Sequence, residues 1–318
     1  MTESPNIAPR LPGIDILRGI AVAAMIVFHF TWDLSFFKLI TINVAAHWFW
    51  GNFARTIAGS FLLLSGIGLV LATRNGIDRP KVIKRLAMIA GAALAVSAGT
   101  YVTMPNTFVF FGILHCMALS GILALPFLRL PSPLIVMAAI LIFAMPWIVA
   151  HPLFDAPLLR WVGLGTYPPV TNDYVPPFPW FACVLAGIVI GRSLAASPPE
   201  WLLASPRGPW AMTAKAGQWS LAIYLIHQPI LLLLVGAAAL ALPTPGTDRV
   251  TREFRLACDE SCMRAGGSAD VCMRYCTCSE AEVRNAKLWT PLVTSQLTAE
   301  QSQRVRAITE QCTAAARQ

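Results

Sequence analysis

Arg18 and His29 stand eleven residues apart in the first long apolar stretch, IDILRGIAVAAMIVFHFTWDL. At about 100° per residue, eleven positions make three turns plus roughly 20°, so both side chains share one helix face. The rise of about 1.5 Å per residue separates them by roughly 16 Å, half the depth of a hydrocarbon core. Ionisable groups at that depth are costly and mark functional pathways. His29 is followed at i+4 by Asp33. A carboxylate one turn away can hold one imidazole nitrogen and leave the other basic, the base-and-orienter arrangement of acyl-transfer chemistry. Asp33 has a competing partner in Arg55, and a histidine inside a helix is often only a packed, hydrogen-bonded residue. Arg18 reads in two ways: an anchor that snorkels to the headgroups, with Asp15 one turn earlier as its counter-ion, or a grip for phosphate.

Further histidines fall in or near apolar segments. His115 lies in FGILHC and His227 in YLIHQP, flanked by Tyr224 and Gln228. Each alone reads as a satisfied core residue. Three intramembrane histidines in one small bundle favour a shared cavity. His47 sits in the aromatic AAHWFWGN, where an interfacial belt is the ordinary reading, and His151 is assigned nothing. Ser65-Gly66 reads as close helix packing. No G-x-S-x-G elbow, P-loop or H-E-x-x-H is present, which disfavours serine hydrolases, NTPases and zinc proteases.

The elements that position these residues follow from composition. The chain has 318 residues, 56% hydrophobic and 13% charged, with mean hydropathy +0.61. Soluble domains carry about a quarter charged residues, so an integral membrane protein is expected. Seven apolar segments are expected near 14–37, 48–72, 82–103, 107–127, 132–150, 179–195 and 219–242, the last interrupted by Pro229. The first ends in HFTWDLSFF without a small-residue cleavage site, so it is not read as a removed signal. With the N-terminus inside, the inner segments hold Arg10, Arg18, Arg74, Arg79, Lys81, Lys84, Arg85, Arg129, Arg192, Arg207 and Lys215. The outer ones hold Lys38, Arg55 and Arg160. That asymmetry is the positive-inside signal, and an odd span count then puts the C-terminus outside. The net charge of +8 therefore serves topology, and no nucleic-acid partner is expected.

A composition shift near Pro243-Thr244-Pro245-Gly246 divides a membrane domain, 1–242, from a polar tail, 243–318. Six of the eight cysteines lie in that tail. Cys258, Cys262, Cys272 and Cys276 form two C-x3-C pairs around Ala265-Gly266-Gly267-Ser268, and cysteines four apart share a helix face. Two antiparallel helices stapled by Cys258–Cys276 and Cys262–Cys272 are expected, with Cys278–Cys312 as a third bridge. The spacing is similar to the twin C-x3-C hairpins of small intermembrane-space chaperones. Without a nearby histidine a metal site is disfavoured, and disulfides demand the oxidising side of a membrane. A further helix is expected in LTAEQSQRVRAITEQC, with Thr298 and Gln301 as a capping box. The fold class is thus all-α: a polytopic helix bundle with a small disulfide-stapled helical tail.

Arg18–x10–His29, FLLLSG at 61–66 and SLAIYLIHQPIL at 220–231 together resemble the transmembrane acyltransferase superfamily. GIDILRGIAVAAMIVFH at 13–29, FFGILH at 110–115 and DYVPPFPW at 173–180 look most like bacterial relatives of heparan-α-glucosaminide N-acetyltransferase, over roughly residues 10–242. The resemblance implies transfer of an acetyl group from cytosolic acetyl-CoA to an amine or hydroxyl of a sugar or glycan beyond a bacterial inner membrane; the loop charges and span count put the tail, which lies outside the resemblance, on the periplasmic side. The resemblance also implies His29 as the essential histidine and Arg18 as its paired arginine. In the lysosomal branch the active histidine lies in the first luminal loop, where His47 is the nearest match. Arg18 and Arg85, within the basic 74–85 loop, are expected to hold the CoA phosphates. His115, Tyr224, His227 and Trp180 are expected around the substrate. No metal is expected, and self-association stays open, as do a proton-coupled transporter and an assembly protein acting through its tail.

Overall fold

The computed structural model describes residues 11–37, 39, 40, 42, 44, 47–241, 246–293 and 296–316. Their regular structure is helical. Among the described residues there is no strand, only an isolated bridge between Phe111 and Tyr174. Residues up to Asp33 together with 43 to Leu233 make one compact unit; Leu34–Ile42 and everything from Leu234 make the other. The division expected at 242/243 falls where Leu242 to Pro245 lie outside the described residues.

In the first unit, α1 (Pro12–Phe36), α2 (Trp48–Thr73) and α3 (Arg79–Thr103) come first. Asp78 caps α3 by accepting from the N–H of Lys81 at 3.2 Å, and Pro80 occupies the first turn, where its missing donor costs nothing. Then follow α4 (Ile113–Leu123), α5 (Ser132–Ile148), α6 (Pro177–Ala196), the short α7 (Glu200–Leu203), α8 (Pro209–Gln218) and α9 (Ser220–Ala241). α9 continues through Pro229. Five of these, α1, α2, α3, α6 and α9, are long and apolar enough to cross a membrane. Their outward faces are apolar as well: Val27 is 52% exposed, Leu94 66% and Leu233 72%. Such surfaces face lipid rather than water, and the chain is a multi-pass membrane protein.

The other two expected segments are shorter, eleven residues in α4 and seventeen in α5. An eleven-residue helix covers only about 16 Å. The fourth segment reaches further because its first residues run extended: Val175 N–H donates to Phe111 O at 3.2 Å, and Thr171 Oγ1 to Phe108 O at 2.7 Å. Backbone outside a helix is tolerated at membrane depth only where protein satisfies it. Here Asp173 accepts from Ile113 N–H at 2.9 Å and His115 Nδ1 from Gly112 N–H at 3.2 Å.

The α2–α6 packing forms the centre of this unit. A Cβ on Gly66 would stand 2.1 Å from Val184 O, and one on Gly187 would stand 2.2 Å from Leu63 O, so glycine permits the backbones to touch. Gly59 meets Trp180 and Cys183, and Gly191 meets Ile67, so the two helices run parallel. Around them Leu62, Leu185, Ile188 and Ile135 are fully buried. At the end of α6, Arg192 donates to the carbonyls of Phe127, Leu128 and Leu130 and to Ser132 Oγ. This joins the α4–α5 connection to the end where α1 and α3 begin. Within the first unit the segments therefore alternate in direction, and its described cations other than Arg55 and Arg160 gather at one end.

In the second unit, α10 (Gly246–Arg264) and α11 (Ala269–Asn285) are stapled by Cys258–Cys276 and Cys262–Cys272, the pairs the spacing predicts. Gly266 turns between them at φ +90°, a conformation glycine adopts without strain. After α12 (Trp289–Val293), α13 (Ala299–Ala316) is tied to α11 by Cys278–Cys312. Its capping box forms as expected, Gln301 N–H to Thr298 Oγ1 at 3.2 Å and Thr298 N–H to Gln301 Oε1 at 2.9 Å. The buried Glu280 receives Arg255 at 2.6 Å and Arg284 at 3.0 Å, and Arg284 stacks 4.0 Å over Trp289.

Gly66→Ala is expected to destabilise the first unit by about 1–3 kcal/mol through overpacking. Gly59→Ala has ordinary contacts, 3.7 Å to the Trp180 ring, and should leave the detergent melting temperature nearly unchanged. In the tail, replacing Cys278 and Cys312 together by Ser opens a link across 34 residues. That should cost about 3–4 kcal/mol and be seen as faster hydrogen exchange in α13, while the α10–α11 hairpin stays protected.

Candidate active site

The buried stripe of α1 carries polar groups at helical spacing. Asp15, Arg18, Val22, Met25, His29 and Asp33 follow one another at intervals of three or four and face the interior of the first unit. Three of the polar members, Asp15, His29 and Asp33, meet α8 or α9. Gln218 donates to Asp15 Oδ2 at 3.3 Å, the rings of His29 and His227 lie 5.0 Å apart, and Gln228 donates to Asp33 Oδ1 at 2.8 Å.

A cavity of about 250 Å³ opens beside the lower half of this stripe. Arg18 and Arg85 line one part of it, with Ser65 and Gln218 nearby; Phe61 and Tyr224 line another. The Nη2 atoms of Arg18 and Arg85 stand 2.6 and 3.7 Å from the point a Gly68 Cβ would occupy, so the two guanidinium groups converge, and Gly68 leaves them the room. Arg18 pairs with Asp15 at 3.3 Å, as its one-turn spacing suggests. Arg85 has no hydrogen-bond or ion-pair partner among the described residues. Two convergent cations against one carboxylate leave net positive charge in an apolar surround, which suits an anion with several oxygens. No cluster of potential metal ligands occurs among the described residues.

The histidines differ in what their nitrogens already do. His115 is fully used. Its Nδ1 accepts from Gly112 N–H, so the proton sits on Nε2, which donates to Ser97 Oγ at 3.2 Å; that hydroxyl passes its own hydrogen to Val109 O at 2.6 Å. His115, expected around the substrate, caps α4 instead. His227 is half used: Nδ1 meets the carbonyls of Ile223 at 3.1 Å and Tyr224 at 2.7 Å, while its buried Nε2 has no partner. His29 makes no hydrogen bond among the described residues and touches Phe28 and His227 edge-on. His47 is exposed at the start of α2 and stacks on Trp48. His151 caps a turn at Leu153.

Two sequence expectations change. Asp33 does not orient His29, because the Gln228 amide on α9 takes its Oδ1, and Oδ2 is buried without a partner. It does not pair with Arg55 either, whose guanidinium is engaged by Asn52 at 3.1 Å. Trp180 packs in the α2–α6 core rather than on the cavity. Tyr224 does line the cavity, and its ring lies 5.8 Å from that of His227, so it connects the arginine-lined space to the imidazole pair. Two residues were not anticipated. Gln218 has no sequence signal beyond its type. Asp173 lies inside the DYVPPFPW segment, and its Oδ2 accepts from Ile113 N–H at 2.9 Å. Its Oδ2 would stand 2.2 Å from a Cβ on Gly112, so glycine is required there.

The model of the heparan-alpha-glucosaminide N-acetyltransferase catalytic family matches residues 10–229. No curated protein and no solved structure matches the chain. The match takes in the whole of the α1 stripe, the cavity and the imidazole pair, and leaves out the cysteine-rich tail. The chain belongs to the heparan-alpha-glucosaminide N-acetyltransferase catalytic-domain family, and it is a membrane acetyltransferase.

Proposed function

We propose that the protein takes the acetyl group from acetyl-CoA at its basic end and transfers it to an amine or hydroxyl of a glycan on the opposite side of the membrane. The observation that carries this reading is the cavity that Arg18, Arg85 and Tyr224 line together; His227 and His29 lie outside its lining, the His227 ring 5.8 Å from that of Tyr224 and 5.0 Å from that of His29. CoA presents phosphate oxygens at one end and a thioester at the end of a slender arm. About 250 Å³ is less than the roughly 300–1,000 Å³ that encloses a whole ligand. It suits part of a donor, with the remainder outside among Arg79, Lys81 and Lys84. The gathering of cations at that end supports a cytosolic placement, and the alternation of segments then supports an extracytoplasmic tail. In that place the disulfides are stable.

His29 is the catalytic imidazole in this reading, and His47 is the second candidate. As the acceptor nitrogen or oxygen attacks the thioester carbon, a C–N or C–O bond forms and the C–S bond breaks. The acceptor proton passes to the imidazole and then to the departing CoA sulfur.

Reconstituted protein with labelled acetyl-CoA and a panel of amino sugars and glycans tests the reaction. His29→Ala should lose about 10²–10⁴ in kcat. Wild-type rates from that variant would remove His29 from the chemistry, and a matching loss in His47→Ala would transfer the role. Sugar uptake that proceeds without acetyl-CoA would identify a transporter instead. Arg85→Gln should raise KM for acetyl-CoA roughly 10–100-fold, the value of a charge-assisted hydrogen bond, with little change in kcat. Gly68→Ala should act in the same direction by displacing Arg18.

A further inference from the structure

Nδ1 of His227 faces two carbonyl oxygens, Ile223 O at 3.1 Å and Tyr224 O at 2.7 Å. A carbonyl oxygen can only accept, so Nδ1 carries the hydrogen of the neutral ring and Nε2 keeps a lone pair. That Nε2 is buried and meets no donor. A buried acceptor left without a donor is unfavourable, and in native proteins it calls for an explanation. The nearest titratable ring is that of His29, which makes no hydrogen bond among the described residues.

The spacing between the two rings is informative. An N–H···N bond of about 2.9 Å between imidazoles, with each nitrogen about 1.1 Å from its ring centre, sets the centroids roughly 5.1 Å apart. The observed separation is 5.0 Å, with the planes at 62°. The rings already stand at the separation such a bond requires. The direction of that bond is fixed in advance. His227 Nε2 can only accept, so His29 must donate, and the other nitrogen of His29 must then be the free lone pair.

We propose that His227 is the positioning residue of the transfer reaction: its Nε2 holds one N–H of His29 and so presents the opposite nitrogen of His29 to the acceptor. This rests on the acyl-transfer reading above. It assigns to a neutral imidazole the task that the sequence suggested for Asp33, which is instead held by Gln228. When His29 takes the acceptor proton it becomes an imidazolium with a hydrogen on each nitrogen. One stays on His227 Nε2; the other goes to the CoA sulfur as the thiolate leaves.

The test compares two variants of His227 in the reconstituted transfer assay. His227→Leu has no acceptor atom and should lower kcat about 10²–10³-fold while KM for acetyl-CoA stays within about threefold. His227→Gln should recover most of that loss, since its amide oxygen can accept from His29 while its NH2 donates to the same carbonyls. A merely structural role predicts no such recovery. Full activity in His227→Leu, or equal losses in both variants, overturns the proposal. So does Asp33→Asn reproducing the kcat loss while His227→Leu retains activity. Nitrogen-15 histidine spectra of the wild-type protein decide the matter even where a variant does not fold. They should show His227 as the Nδ1–H tautomer, identified by the signal lost in His227→Gln or by sequential assignment; an Nε2–H tautomer overturns the proposal. Absence of acetyl transfer by the wild-type protein would instead defeat the functional reading, which these spectra do not depend on.

Discussion

Polar side chains placed among apolar helices must find their partners inside the protein, because lipid offers none. In this chain that constraint falls heavily on α1 and its neighbours α8 and α9. Asp15 meets Gln218, His29 meets His227, and Asp33 meets Gln228. These contacts, spread along α1, fix its register against α8 and α9. A shift of one residue would turn each polar group by about 100° toward lipid or apolar packing. The imidazole pair is therefore held by its neighbours at least as much as by its own contact, with a hydrogen-bonded amide one turn beyond it. The same alignment brings Tyr224 between the pair and the cavity.

The charge distribution follows from a second effect. Arg18 and Arg85 converge where Gly68 leaves room, and Asp15, which pairs with Arg18, is shared with Gln218. Were the arginines only membrane anchors, they would extend to the headgroups rather than converge beneath a cavity. Their mutual repulsion is a cost that an incoming polyanion relieves. In the proposed reaction the donor's phosphates bind at this pair of guanidinium groups, and its thioester arm lies toward Tyr224.

Much of this was legible in the sequence, for local reasons. Arg18 and His29 share a face because helical periodicity is a property of α1 alone. The Thr298–Gln301 box and the two C-x3-C pairs are also local, and they pair as their spacing suggests. What was not legible depends on distant residues. The fourth segment contains a short helix because Asp173, sixty residues away, satisfies its first N–H. The partner of Asp33 could not be chosen from a spacing of four, since an amide on α9 competes with the imidazole on α1. Trp180 looked like a cavity residue from its motif, but the α2–α6 glycines draw it into the core.

The histidines show why residue type alone misleads. His29, His115 and His227 are equivalent in sequence: each is a lone ring in an apolar helix. Hydrogen bonds separate them. A ring with both nitrogens engaged, as in His115, can neither take a proton nor give one without breaking the start of α4. A ring with one nitrogen fixed on carbonyls, as in His227, has a defined tautomer and one directed lone pair. A ring with neither engaged, as in His29, can turn. Base catalysis needs a free lone pair, and efficient base catalysis needs that lone pair aimed. His227 has the aimed lone pair and His29 the ring that can turn, and in the proposed arrangement the 5.0 Å between them lets the fixed ring aim the free one.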